Sequence, residues 1–197
     1  MQRRTVLLTL AGTAATLIAG CAENKPQFKA VDITGADYAK DFAPLQDPDG
    51  KPRSLQEFAG KALVVFFGYT QCPDVCPTTL GEIAQAKQLL GADGDKVQGI
   101  FITVDPERDT PEILKAYVGN FGPDFVALRG TPEQTAAVAK DFKVYYKKVD
   151  NKGGGYLMDH SAASYVYDPQ GRLRLYARYG SGPQALADDL KLLLQSS

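Results

Sequence analysis

The sequence predicts an α/β fold in which a mixed central sheet is flanked by helices and preceded by an N-terminal β-hairpin extension. Two continuous apolar runs carry this reading. Residues 62–68 (ALVVFFG) and 97–104 (VQGIFITV) have the length and the β-branched and aromatic content of buried strands, and a helical pattern lies between them. A third observation is the turn at 168–171 (DPQG), which joins two extended runs into an antiparallel hairpin. Parallel strands linked by a helix, followed by a hairpin, make a mixed sheet with two faces to cover.

Each element has its own signal. In chain order, 47–50 (DPDG) is a turn between short extended pieces and gives the N-terminal hairpin. Thr79 with Glu82 three residues on forms a capping-box pattern, and Leu80, Ile83, Ala84 and Leu90 follow at helical spacing. Residues 109–112 (DTPE) and 131–133 (TPE) open two more helices, with a proline suited to the first helical position; these run to about Phe121 and Phe142. Residues 143–149 read as extended, and 147–155 (KKVDNKGGG) as a flexible loop reaching toward His160. Residues 162–167 and 172–178 are the arms of the late hairpin, and Pro183 opens a last helix with Leu186, Leu190 and Leu193 on one face. A strand–helix–strand crossover followed by a hairpin and a helix is the thioredoxin plan, from which function does not follow by itself.

Composition narrows the function. The 197 residues carry 22 Lys+Arg against 23 Asp+Glu, and 44% are hydrophobic, which suits one domain with a full core and excludes a mainly disordered chain. Without a basic surplus there is nothing to neutralise phosphates, so nucleic acid is not the expected partner. Three cysteines are too few for a disulfide scaffold. There is one histidine, His160.

The first residues read as an address. A basic start (MQRR) precedes an uncharged run at 5–20 that is shorter than the roughly 20 residues a spanning helix needs. The run ends Leu17-Ile18-Ala19-Gly20-Cys21, which resembles the lipobox of bacterial lipoproteins. Residues 1–20 are then a signal peptide, Cys21 the lipidated residue, 21–35 a lipid-anchored tether and 36–197 the folded domain. The alternative is a buried helix in which Cys21 is incidental. Arg3-Arg4 leaves Sec and twin-arginine export both open. The expected location is extracytoplasmic, anchored to a bacterial membrane, where thiols can be oxidised.

The chemistry concentrates where the first buried strand runs into a helix, at 67–77 (FGYTQCPDVCP). Pro77 disfavours helical geometry at the residue before it and accepts it for itself, so Cys76 sits at the helix entrance with Cys72 in the turn ahead. Helix N-termini favour anions and so favour thiolates. Four positions apart in a tight turn, the two sulfurs can close a disulfide or bind one metal ion. As an inert disulfide they would close too small a loop to stabilise the fold much. His160 lies just ahead of the strand at 162–167. In the thioredoxin plan that turn faces the cysteine loop, and reductases of that plan usually carry a proline there. Two thiolates and one imidazole then converge. Thiolates select Cu(I), imidazole also accepts Cu(II), and a structural zinc site normally takes four protein ligands where only three are on offer, so copper is the favoured metal. Three carboxylates are candidates for orienting His160, tuning the metal or docking a partner: Asp74 between the cysteines, Asp159 before the histidine and Asp105 at the end of the second strand. Capping by Asp74 and Asp109 and a turn role for Asp105 are the structural alternatives.

Residues 67–80 (FGYTQCPDVCPTTL), 104–112 (VDPERDTPE) and 159–171 (DHSAASYVYDPQG) resemble motifs of the Sco/SenC family, and the similarity runs over most of the chain. The first motif is the most specific, since CxxxCP after an aromatic-Gly-Tyr strand end is not the thioredoxin CxxC pattern. The resemblance implies a thioredoxin-like, membrane-attached copper protein with Cys72, Cys76 and His160 as metal ligands. It implies a chaperone delivering Cu(I) and/or Cu(II) to the copper-A centre of cytochrome c oxidase subunit II, supplied by an upstream copper donor. A lipobox stands here where other members have a transmembrane helix. The expectation is a monomer and a metallochaperone rather than an enzyme. The alternative is a thiol–disulfide oxidoreductase using Cys72 and Cys76 as its redox-active pair on the copper-A cysteines or another extracytoplasmic partner. A peroxidase would want an arginine beside one activated thiolate, where the sequence offers a histidine.

Overall fold

The structure is a computed structural model that describes residues 26–195. The signal peptide, the lipobox and Cys21 lie outside the described residues. Among the described residues, no helix is long and apolar enough to cross a membrane.

A six-stranded sheet in the order β1-β8-β7-β2-β3-β4 forms the centre. Its strands are β1 (Val31–Asp32), β2 (Ala62–Gly68), β3 (Val97–Thr103), β4 (Val126–Leu128), β7 (Ser164–Tyr167) and β8 (Leu173–Ala177). β2, β3 and β4 run parallel, with Phe66 opposite Phe101 and Gly68 opposite Thr103. β7, β8 and β1 continue the other side antiparallel. Every residue of β2 and β3 is buried, as expected of central strands covered on both faces. The helices are α1 (Val75–Leu89), α2 (Pro111–Gly119), α3 (Pro132–Asp141) and α4 (Pro183–Gln195). α1 and α4 pack together. Phe67 points to the opposite face from its neighbour Phe66 and meets Phe142, just past α3, at 5.0 Å between ring centroids. This is the expected thioredoxin-like arrangement, with helices on both faces.

Four local expectations change. The 47–50 turn forms, with the Asp47 amide donating to the Lys51 carbonyl at 2.9 Å, yet its arms meet only as a single bridge between Gln46 and Pro52. Beyond it the Leu45 amide turns to the Phe42 carbonyl instead of returning to Arg53, so the ladder stops. The sheet begins inside the segment expected as tether, because Val31–Asp32 pairs with β8 and the buried Asp189 carboxylate accepts from the Lys29 and Ala30 amides. α1 starts at Val75 behind Asp74, so Thr79 is not a cap: its hydroxyl donates to the Val75 carbonyl within the helix. Pro77 is tolerated in this first turn, where its missing N–H would have no helical acceptor.

The fourth change bears on the site. Residues 147–155 are not simply a flexible loop. β5 (Tyr146–Asp150) and β6 (Tyr156–His160) form a separate antiparallel ribbon, with His160 opposite Tyr146. The turn at 151–155 is closed by the Gly154 amide on the Asn151 carbonyl, and Gly154 and Gly155 take positive φ angles of 95° and 74°, which suit glycine. The extended reading of 143–149 covers most of β5, but β6 gives no strand signal, and only Met158 of the ten ribbon residues is buried.

Candidate metal centre

Three elements deliver three donors to the carboxyl end of β2. Cys72 lies in the loop that leaves β2, Cys76 in the first turn of α1, and His160 at the last position of β6. Their donor atoms, two Sγ and an imidazole nitrogen, all lie within 4.8 Å of one another. That set, two soft sulfurs and one imidazole, suits a copper ion and is one short of a closed structural zinc site.

The imidazole is fixed from behind. Nδ1 lies 2.9 Å from the Ser161 carbonyl, which can only accept, so Nδ1 carries the proton and Nε2 presents a lone pair. Nε2 is 3.3 Å from Cys76 Sγ. The ring sits edge-on against Phe66 and Tyr69, each at 5.9 Å between centroids. Gly68 makes the room for Cys76: a Cβ there would fall 2.7 Å from its sulfur and 2.8 Å from Phe101.

The two thiols divide their roles. Cys72 is half-buried and its thiol is held far below the ordinary range, down to about 4. The hydrogen bond from the Cys76 thiol does most of this against the cost of burial, and the amides of Asp74 and Cys76 add to it. The Cys76 amide lies 3.4 Å from Cys72 Sγ, the helix N-terminus serving an anion. Cys76 is buried and its thiol is pushed up, because ionising it would forfeit its bond to the Cys72 thiolate and bury a second charge. The metal-free pair is therefore one half-buried thiolate and one sheltered thiol. Because a lowered pKa keeps the thiolate populated until pH falls through about 4, alkylation of Cys72 by iodoacetamide at pH 6 should run close to its pH 8 rate. An ordinary thiol would slow roughly 100-fold over that interval. Peptide mapping after a short pulse should find label on Cys72 and little on Cys76.

The three carboxylates part ways. Asp105 is buried and central: Oδ1 accepts from the Tyr156 hydroxyl at 2.9 Å and Oδ2 takes the Arg108 guanidinium. Asp159 is exposed, because neighbours in a strand point to opposite faces and His160 takes the inner one; the Ser161 carbonyl orients the ring instead. Asp74 is exposed and takes the N-cap place, its carboxylate accepting only from the Thr78 hydroxyl at 3.3 Å while its amide serves Cys72.

Sequence reasoning missed four residues. The buried Asp109 accepts from the Thr70 amide and hydroxyl and from the Thr103 hydroxyl, tying the cysteine loop to the end of β3, and burial raises its carboxyl. Arg108 donates to Gln71 Oε1 at 3.1 Å and to the Tyr156 carbonyl at 2.8 Å, and its guanidinium lies 3.6 Å from the Tyr156 ring centroid. An arginine therefore stands near the thiols beside the expected histidine, but its donors go to the scaffold and not to a sulfur. Ser161 and Gly68 complete the group. Arg108 and Asp109 stood in the 104–112 motif, but nothing in spacing showed what they touch.

The family model for SCO1/SenC matches residues 31–195. The chain belongs to the SCO1/SenC family. An SCO2-like protein of Rickettsia prowazekii is 41% identical over 130 residues, which are 65% of this chain and 63% of that protein, so the match spans under two thirds of its length. Among solved structures, Bradyrhizobium japonicum ScoI with copper bound is 45% identical with a TM-score of 0.68, covering 76% of this chain and 95% of that one. Apo Sco1 from Thermus thermophilus is 38% identical with a TM-score of 0.75, covering 86% and 99%. This SCO1/SenC chain therefore has relatives solved both with copper and without it.

Proposed function

We propose that the protein is a copper carrier that holds one copper ion on Cys72, Cys76 and His160 and delivers it to the copper-A centre of cytochrome c oxidase subunit II. The observation that carries this is the convergence of two sulfurs and one imidazole within 4.8 Å. The copper-bound relative at 45% identity supports the choice of metal. Copper here is cargo: the half-buried Cys72 gives an incoming ion a thiolate to meet, and Cys76 and His160 close around it. Lipidation of Cys21 would hold the domain at the membrane beside its oxidase client, with an upstream donor supplying the ion and a single copy sufficient. Asp105, through Tyr156 and Arg108, supports the ribbon that carries His160. Metal analysis of the reduced protein after copper loading tests this: one copper per chain is expected, with a sulfur-to-copper charge-transfer band for Cu(II). Loading without that band would place Cu(II) elsewhere.

One observation favours a second reading. A half-buried thiolate beside a sheltered thiol is also what a thiol–disulfide oxidoreductase uses, the first sulfur attacking and the second resolving. Such an activity would serve the cysteines of the copper-A site or of another extracytoplasmic partner, and it does not need His160.

A further inference from the structure

We infer that Arg108 is the positioning residue that sets whether His160 joins the two cysteines, and thereby how strongly the centre holds Cu(II) relative to Cu(I). The inference rests on the metal-centre reading above and deepens it. His160 arrives on β6, which belongs to the two-stranded ribbon and not to the central sheet. The central sheet's ladder therefore does not fix where β6 lies. Its His160 end is tied by Ser161 to Tyr145 and runs on into β7, while its Tyr156 end is held by side chains: Lys148 of the paired strand reaches Glu107, and the other ties gather at Arg108.

One guanidinium reaches three partners on three segments. It pairs with the buried Asp105 at the end of β3, donates to Gln71 beside Cys72, and donates to the carbonyl of Tyr156 at the start of β6. It also lies over the Tyr156 ring at 3.6 Å and faces the Tyr69 ring at 5.8 Å. The Tyr156 hydroxyl returns to Asp105 at 2.9 Å, closing the loop of contacts. Tyr69 in turn meets the Met158 backbone and stands edge-on to His160. A strand is stiff along its length, so pinning Tyr156 and Met158 sets where His160, at the far end of β6, comes to rest. Cys76 is held by α1, and the Cys72 loop keeps ties that do not involve Arg108: Thr70 to Asp109, and the Cys76 amide on the Cys72 sulfur. A loosened ribbon would thus cost the centre its nitrogen while leaving its two sulfurs. Cu(I) is satisfied by two thiolates, whereas Cu(II) favours nitrogen.

Arg108→Lys tests this, because it keeps a cation against Asp105 but cannot reach Gln71 and Tyr156 together. The full reduced chain would be titrated with Cu(II) chloride against a competing chelator, and with Cu(I) in a parallel series. Cu(II) affinity should fall about 10- to 100-fold, the range for losing a partner that orients a ligand. Nitrogen hyperfine coupling in the Cu(II) spectrum should weaken, while Cu(I) affinity and the Cys72 alkylation rate hold. Tyr156→Phe removes only the hydroxyl tie to Asp105 and should shift Cu(II) the same way by less; it carries the test alone if Arg108→Lys does not fold. In a His160→Ala background, Arg108→Lys should cost no further Cu(II) affinity, since both act through one nitrogen. Unchanged Cu(II) affinity and spectrum in a folded Arg108→Lys protein, or in Tyr156→Phe where it stands alone, would overturn the inference. An equal further loss in the His160→Ala background would also overturn it, showing Arg108 to act through general structure. If His160→Ala alone left Cu(II) binding unchanged, the metal-centre reading itself would fall and take this inference with it.

Discussion

Oxidising Cys72 and Cys76 to a disulfide should take copper binding from one ion per chain to none. The two sulfurs lie in one turn at the start of α1, within the 4.8 Å donor cluster. A mild oxidant such as diamide takes two electrons from the pair as the S–S bond forms; the Cys76 thiol gives up its one proton, solvent supplies the second, and the diamide is reduced to its hydrazine. What the centre loses is its negative charge: the Cys72 thiolate, already formed near neutral pH, and the one Cys76 gives up when a metal takes its proton's place. His160 alone remains, and a single half-buried imidazole does not hold copper against a competing chelator. Equilibrium dialysis of the oxidised, alkylation-resistant protein should find no bound copper, and reduction should restore one ion per chain. Oxidised protein that kept its copper would place the metal on other residues.

The parts of this centre that were legible in the sequence are those fixed by local chemistry. β2 and β3 announce themselves because a strand buried on both faces must be apolar throughout. Thr110-Pro111 and Thr131-Pro132 mark helix starts because each threonine caps and each proline occupies the first turn, where the amide has no helical acceptor. Cys72 and Cys76 could be placed for the same reason. Long-range contacts were not legible. The ribbon at 146–160 has no apolar alternation, so β5 showed only as part of the extended stretch at 143–149, while its pairing and the partner strand β6 did not show. Arg108 touches Gln71 and Tyr156, partners far off in sequence that only the folded sheet brings together. Asp159, adjacent to the histidine in sequence, sits on the wrong side of its strand, and the group that orients the ring is a backbone carbonyl that no side-chain pattern reveals.

Replacing His160 with alanine should separate copper delivery from thiol chemistry. The variant should fold. The lost ring leaves a space against Phe66 and Tyr69 at the rim of the core, costing about 1–3 kcal/mol against a typical stability of roughly 5–15 kcal/mol. With no other histidine in the chain, nothing of its kind can take its place. Cu(II) affinity should therefore fall by more than the roughly 10–100-fold that follows loss of an outer partner, because a ligand itself is gone. Cu(I) should persist on the two thiolates. The Cys72–Cys76 couple should still exchange disulfides, since that chemistry depends on thiolate fraction and access, and the Cys72 thiolate keeps its bonds from the Cys76 thiol and the two amides. Chelator competition for both copper states, disulfide exchange with a small-molecule probe, and oxidase assembly in cells expressing only the variant are the three readouts. If the protein works as a carrier, assembly fails while exchange continues. Assembly at the wild-type level despite lost Cu(II) would make the dithiol the working part and favour the reductase reading. Each of these results rests on the position of one imidazole, held by a single carbonyl behind it and by a ribbon that Arg108 ties to the cysteine loop.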